Sequence, residues 1–173
     1  MKKGLLIVNT GDGKGKTTAA LGQAFRAMGY NYKVCVIQFI KGTWKYGELF
    51  SKERFGELLD FHVMGKGFTY QSDNLEEDQK IAREGWEIAK AALLSDQYFM
   101  VILDELTYLL NYKFIDTHEV ITCLEQRRNG LHVIITGRGA PKEIIDIADL
   151  VTEMQVIKHP FKQGVKAQKG IEF

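Results

Sequence analysis

Between an apolar run and an amphipathic stretch the chain reads Thr10-Gly11-Asp12-Gly13-Lys14-Gly15-Lys16-Thr17-Thr18. Glycines at this density let successive backbone N–H groups turn inward as an anion nest, and a helix starting behind them adds positive potential at the same point. Lys16 supplies a point charge for phosphates and Thr17 a hydroxyl for Mg²⁺, the chemistry of a P-loop. The usual pattern GxxxxGK[ST] wants its first glycine where this chain has Thr10, so Gly11 is shifted by one. An ordinary glycine-rich turn is the competing reading, and Gly-Lys-Thr-Thr between a buried strand and an amphipathic helix argues against it. Gly11, Asp12, Gly13, Lys14, Gly15, Lys16, Thr17 and Thr18 are therefore the expected phosphate-binding set.

A second chemical feature is the apolar run Phe99 to Leu103, which ends in Asp104-Glu105. A carboxylate at the end of a central strand faces Mg²⁺ from across the nest, so the pair fits a Walker B; a solvated loop start is the alternative. In many P-loop ATPases the second acid activates water, which leaves hydrolysis open on these residues alone. No Asn-Lys-x-Asp guanine-reading segment occurs, which favours adenine. Arg138 in Thr136-Gly137-Arg138-Gly139 follows a strand at the same sheet edge; it reaches the triphosphate with its guanidinium fork or is a surface Arg in a tight turn. His62, His118, His132 and His159 have no metal-site spacing, and no Gly-x-Ser-x-Gly elbow marks a covalent nucleophile.

The elements that must position these residues alternate. Leu5 to Val8 reads as a strand buried on both faces, and the following helix places Leu21, Ala24, Phe25 and Met28 on one stripe with Gly29 as its cap. Val34 to Ile40 and Phe61 to Met64 are the next strands. Asp73 and Glu76 make a capping box for a long helix with a stripe of Ala82, Trp86, Ala89 and Leu93. Asp116 and Glu119 suggest a second box, opening a helix that stops near Asn129-Gly130 before a strand from His132 to Thr136. Pro141 starts a helix carrying Ile144, Ile145 and Ala148, and Leu150-Val151 begins a last strand. This order implies an α/β fold with a mainly parallel sheet and helices on both faces, a single P-loop NTPase-like domain over residues 1–173. Residues 43–67, with Trp44, Tyr46, Phe50 and Phe55, fit either a binding loop or an irregular part of the core.

Composition bounds the partners. The 173 residues are 45% hydrophobic and 26% charged, enough for one core. A net charge of +1 provides no large basic field, so neither nucleic acid nor an acidic membrane is expected as partner. Cys35 and Cys123 both read as small core residues. No apolar run reaches the roughly 18 residues of a membrane span, and Met1-Lys2-Lys3-Gly4 opens no signal peptide, so the expected compartment is the cytoplasm.

Several blocks then converge on one family. The loop Gly11 to Ala20, Gln38-Phe39-Ile40-Lys41-Gly42-Thr43-Trp44, Gly67-Phe68-Thr69, Leu103 to Tyr108, Ile134 to Gly139 and Gly164-Val165-Lys166-Ala167-Gln168 resemble, in order, the blocks of the P-loop ATP:corrinoid adenosyltransferases. The resemblance implies a homodimer that binds Mg-ATP in reverse, with the γ-phosphate deep in the loop and ribose C5′ exposed to the Co(I) of a corrinoid. Cobalamin, cobinamide or cobyrinic acid a,c-diamide would be the substrate, tripolyphosphate the leaving group and a reduced flavoprotein the electron donor. By matching positions it implies Lys16, Thr17, Glu105 and Phe68 as catalytic, Thr17 and Glu105 as Mg²⁺ ligands and Asp104 as a supporting acid. Phe68 would lie under the corrin ring, with Tyr70 where the family carries a Trp. The sequence starts only a few residues before its first strand, where family members carry a longer segment over the active site, so closure is expected to be looser or arranged otherwise. A small-molecule kinase or ATPase, and a non-catalytic nucleotide sensor, are the other readings the P-loop supports.

Phe68 and Tyr70 flank Thr69, a two-residue spacing that puts both on one side if the segment is extended. An apolar wall there would displace the lower axial ligand of Co(II) and ease its reduction, although plain core packing is the default for isolated aromatics. Phe68→Ala is expected to impair adenosylation from Co(II) and a flavoprotein donor severely, yet largely spare the reaction begun with preformed Co(I). Parallel assays of the two starting states check this, and equal loss in both points to packing.

Overall fold

The computed structural model describes residues 3–42, 46–65 and 75–172. Six strands form one parallel sheet: β1 (Leu6–Thr10), β2 (Val34–Gln38), β3 (Leu59–Val63), β4 (Met100–Asp104), β5 (His132–Thr136) and β6 (Leu150–Glu153), in the order β3-β2-β4-β5-β1-β6. Every pairing is parallel, so the expected mainly parallel sheet is parallel throughout.

Strand periodicity divides the interior in two. Leu6, Val8, Cys35, Ile37, Val101, Leu103, Val133 and Ile135 face one core. There they meet α3 (Leu75–Leu94), α4 (Leu106–Asn111), α5 (Thr117–Gln126) and α6 (Lys142–Ile147). Ile7, Val34, Val36, Met100, Ile102 and Ile134 face the other, against α1 (Lys16–Met28). Strands covered on both sides carry continuous apolar runs, and β1, β2 and β4 are buried at every residue. Both cysteines are buried and free.

The α3 stripe holds as read: Ala82, Trp86, Ala89 and Leu93 are all buried. The α1 stripe differs. Its buried face is Ala20, Ala24, Ala27 and Met28, while Phe25 is 67% exposed and meets the Phe55 ring edge-on. Alanines let α1 approach the sheet closely, and a Phe on that face would hold it off. Gly29 caps α1 in a right-handed conformation, its N–H donating to Phe25 O, and the left-handed residue is Asn31. Between residues 43 and 67 lie α2 (Gly47–Phe55), a single 3₁₀ turn (Gly56–Leu58) and β3. α2 buries no residue, which is why no stripe announces it. Near the C-terminus Ile144 is buried while Ile145 is 36% exposed, and β6 is exposed along its length. Asp73, the first half of the first capping box, lies outside the described residues, as do Trp44, Phe68, Thr69 and Tyr70.

The second capping box is half made. Asp116 accepts from the N–H groups of His118 and Glu119, but the Glu119 carboxylate turns to Arg83, Trp86 Nε1 and Lys90 instead of the cap. It thereby joins α5 to α3. α5 also ends earlier than expected, at Gln126. Asp116→Ala is expected to cost about 1 kcal/mol of stability, the loss of one N-cap, with an unchanged denaturant dependence in urea unfolding.

Candidate functional site

Parallel strands bring the ends of β1, β2, β4 and β5 to one edge of the sheet, where open α/β folds bind ligands. Register then decides the contacts. Gln38 pairs with Asp104 and Asn9 with Thr136, so polar residues ending four buried runs become neighbours. Asp104, with no exposure, accepts from Thr17 Oγ1 at 2.8 Å and Thr136 Oγ1 at 2.6 Å through one oxygen, and from Gln38 Nε2 at 2.9 Å through the other. Burial raises its pKa, and the bonds from Thr136, Thr17 and Gln38 oppose the shift. Tyr46 is itself buried, and its hydroxyl donates to Gln38 Oε1 at 2.5 Å, extending the chain to the start of α2.

Glu105 is the opposite case. It stands at φ 61, a left-handed conformation unusual for a side chain with Cβ, and its Oε2 is buried without a hydrogen-bond partner. Burial and then the Asp104 charge push its carboxyl up to about 7, against the pull of Lys16, Arg138 and Lys41. Glu105, with its orphaned carboxylate oxygen, lines one cavity with Thr17, whose hydroxyl is bonded to Asp104; this all-oxygen donor set suits a hard cation, so Thr17, Glu105 and Asp104 fit Mg²⁺. Thr17 commits its proton to Asp104, which leaves its oxygen lone pairs for a metal.

The phosphate loop runs from β1 into α1, with Gly11 at φ 91 and Gly15 at φ 106. Lys16 folds back on the loop, donating to Gly11 O at 2.7 Å and Gly13 O at 2.6 Å, and burial lowers its pKa. The shift of the first glycine has a structural reason. Thr10 is the last residue of β1, and its Oγ1 accepts from Ala140 N–H, securing the loop after β5. The chain leaving β6 crosses the next positions, where a Cβ on Gly11 would lie 2.5 Å from Met154 O and one on Gly13 2.7 Å from the same atom. Gly13 N–H donates to that oxygen at 2.6 Å.

A cavity of about 530 Å³ opens over the loop, lined by residues 14–18, Lys41, Glu48, Glu105 and the segment Gly170–Glu172. Lys14, Gly15, Lys16, Thr17, Thr18 and Glu105 thus meet at one space, with Asp104 bonded behind them to Thr17. Arg138 is exposed, and its charge is felt at Lys16 and Glu105. Its carbonyl is held by Thr107 Oγ1 at 2.7 Å and Asn111 Nδ2 at 3.3 Å, so α4 sets the position of this turn. Phe68 and Tyr70 lie outside the described residues. The roles of Gln38, Tyr46, Thr107 and Met154 escaped sequence reasoning. For Gln38 a signal existed: it ends a buried strand as Asp104 does. Among the described residues no group of three or more His, Cys, Asp or Glu gathers as a metal site, and no helix is long and apolar enough to cross a membrane.

Fold and loop define an α/β protein of the P-loop class. The fold is shared with the flagellar accessory protein FlaH from Methanocaldococcus jannaschii, at TM-score 0.55 and 11% identity over 88% of this chain and 72% of that one. Residues 2–173 match the family ATP:corrinoid adenosyltransferase BtuR/CobO/CobP. The chain is 48% identical over 172 residues to a corrinoid adenosyltransferase of Escherichia coli K12, covering 99% of this chain and 87% of that protein. It is 44% identical over 174 residues to one from Sinorhizobium sp, covering 99% and 81%. The protein belongs to the ATP:corrinoid adenosyltransferase family and is a transferase.

Because the folded state raises the Glu105 pKa, native protein retains a proton that the unfolded chain releases above its ordinary 4.5. Glu105 therefore costs metal-free protein no stability below that value, and the stability falls as pH rises toward about 7. Glu105→Gln is expected to remove on the order of 2–3 kcal/mol of this fall between about pH 5 and about pH 8, read by urea unfolding without metal.

Proposed function

We propose that the protein binds Mg-ATP in the P-loop and transfers its adenosyl group to the cobalt of a corrinoid. The observation that carries the reading is the unpartnered oxygen of Glu105, a residue that follows Asp104 and lines one cavity with Thr17 and Lys16, in a chain of this family. Such a site takes a metal-bound triphosphate. In the proposed orientation the γ-phosphate lies deep in the loop and C5′ faces outward. A Co(I) electron pair forms the Co–C5′ bond, the C5′–O bond breaks with its electrons on tripolyphosphate, and cobalt becomes formally Co(III). The nucleophile is the substrate's own, so no protein base is needed and an ordered water at Glu105 would be harmful.

Lys16 leaves the Gly11 and Gly13 carbonyls for the phosphates, and the loop amides and Arg138 add donors around the leaving group. When bound, Mg²⁺ neutralises part of the triphosphate charge, with Thr17 and Glu105 as its ligands and Asp104 fixing Thr17 from behind. The protein's main contribution is alignment of cobalt, C5′ and the leaving oxygen. Cobalamin, cobinamide or cobyrinic acid a,c-diamide is the substrate, Phe68 and Tyr70 border the corrin, and a reduced flavoprotein supplies electrons to a cytoplasmic homodimer.

A kinase or ATPase at the same loop would release ADP. Incubation with Mg-ATP and chemically reduced cobalamin or cobinamide is expected to consume the Co(I) absorbance and yield tripolyphosphate with a light-sensitive Co–C bond. ADP as the product would overturn the reading. Lys16→Ala is expected to lower turnover with preformed Co(I) at least about a hundredfold, and near-normal turnover removes Lys16 from the mechanism.

A further inference from the structure

Lys41 follows β2 and lines the same cavity as Lys14, Lys16, Thr17 and Glu105, but it comes from a different segment than the phosphate loop. Its ammonium sits 4.4 Å from the centroid of the Tyr46 ring. This is a cation–π seat that orients the charge without consuming its hydrogen-bond donors. The nearby Glu48 carboxylate is 3.7 Å away, an ion pair too long for a hydrogen bond. Lys41 is thus held and aimed, and its donors are not spent on Glu48.

The seat is itself anchored. Tyr46 is 2% exposed, and its hydroxyl reaches Asp104 through Gln38, so the ring under Lys41 is tied to the carboxylate that holds Thr17. The Lys41 charge is felt at both Asp104 and Glu105. Lys16, Arg138 and a divalent metal balance the charge of bound ATP but fall short of the tripolyphosphate, which gains charge as C5′–O breaks. Lys41 supplies a further cation from the segment after β2.

We propose that Lys41 is a phosphate-binding residue of this cavity, and that Tyr46 is the positioning residue that aims it. The inference rests on the nucleotide reading of the site and adds a residue to it. On ligand entry the ammonium exchanges Glu48 for a phosphate oxygen while staying on the Tyr46 ring.

The test is calorimetric titration of inorganic tripolyphosphate with Mg²⁺, and of Mg-ATP, into the full chain at several salt concentrations. Lys41→Met is expected to weaken both about tenfold to a hundredfold, the loss of one charge-assisted hydrogen bond, and to flatten the salt dependence. Lys41→Arg should stay within a few-fold of wild type. Tyr46→Leu and Tyr46→Phe both lose the hydroxyl bonded to Gln38, but only Leu loses the ring, so Tyr46→Leu should bind several-fold more weakly than Tyr46→Phe in the wild-type chain and equally in the Lys41→Met background, because the ring acts through Lys41. Wild-type affinity and salt dependence in Lys41→Met would overturn the inference while leaving the nucleotide site standing. Equal loss in Lys41→Met and Lys41→Arg would also overturn it, since damaged packing then accounts for both. Failure of wild type to bind tripolyphosphate or ATP would take down the nucleotide reading and this inference together.

Discussion

A carboxylate with no solvent exposure, Asp104, is the contact on which the site's geometry depends. Taking a charge out of water costs several kcal/mol unless its oxygens are bonded. Here the donors come from three separate elements: Thr17 in the first turn of α1, Gln38 at the end of β2 and Thr136 at the end of β5. Each donor is placed by strand register or helix start, so satisfying one buried charge locks the phosphate loop against the sheet. The Thr136 hydroxyl also accepts from Glu105 N–H, which sets the turn in which the second carboxylate leaves the strand. Gly137 is forced by the same crowding: a Cβ there would lie 2.0 Å from Thr107 Oγ1, at φ 137.

A second constraint enters from the sheet edge. β6 pairs with β1 residue for residue as far as Thr10 and Glu153, and the chain then continues across the loop. The close passage of Met154 and Gln155 is why Gly11 and Gly13 carry no side chains. The same passage takes the Gly13 N–H out of the set of inward donors. Further on, Glu172 pairs with Lys14, and residues 170–172 line the cavity. An exposed, irregular tract is in this way part of the site's wall.

How much of this was legible in the sequence follows from how each feature is encoded. Buried parallel strands are written as continuous apolar runs, and β1, β4 and β5 read directly, as did the α3 stripe around Trp86. The loop lysine and threonine announce themselves because Gly-Lys-Thr stands between a buried strand and a helix, and the Asp104-Glu105 pair because it closes an apolar run. Phe25 misled because hydrophobicity marks what prefers burial, whereas close helix-to-sheet packing selects small residues, here Ala20, Ala24 and Ala27. α2 was hidden because a helix that buries nothing has no stripe. Tyr46, Thr107 and Met154 were invisible for a different reason: their partners are distant in sequence, and only register brings Gln38 to Asp104 or β6 to the loop.

The distribution of satisfied and unsatisfied groups argues for the order in which ligands arrive. Each of the three lysines at the cavity has an oxygen near it: Lys14 has Glu172, Lys16 has two loop carbonyls, and Lys41 has Glu48. Among the described residues that line the cavity, Glu105 holds a buried oxygen with no hydrogen-bond partner, Oε2, and its left-handed backbone costs about 1–2 kcal/mol. A free anion entering this space would have to break two ion pairs and the Lys16 bonds to two carbonyls, and above about pH 7 it would sit against an ionised carboxylate. An anion that brings its own divalent cation satisfies Glu105 as it releases the lysines, so the two halves of the exchange support each other. On the proposed reading, the physical substrate of the loop is therefore the metal chelate of ATP, with Glu105 selecting the chelate over the bare triphosphate.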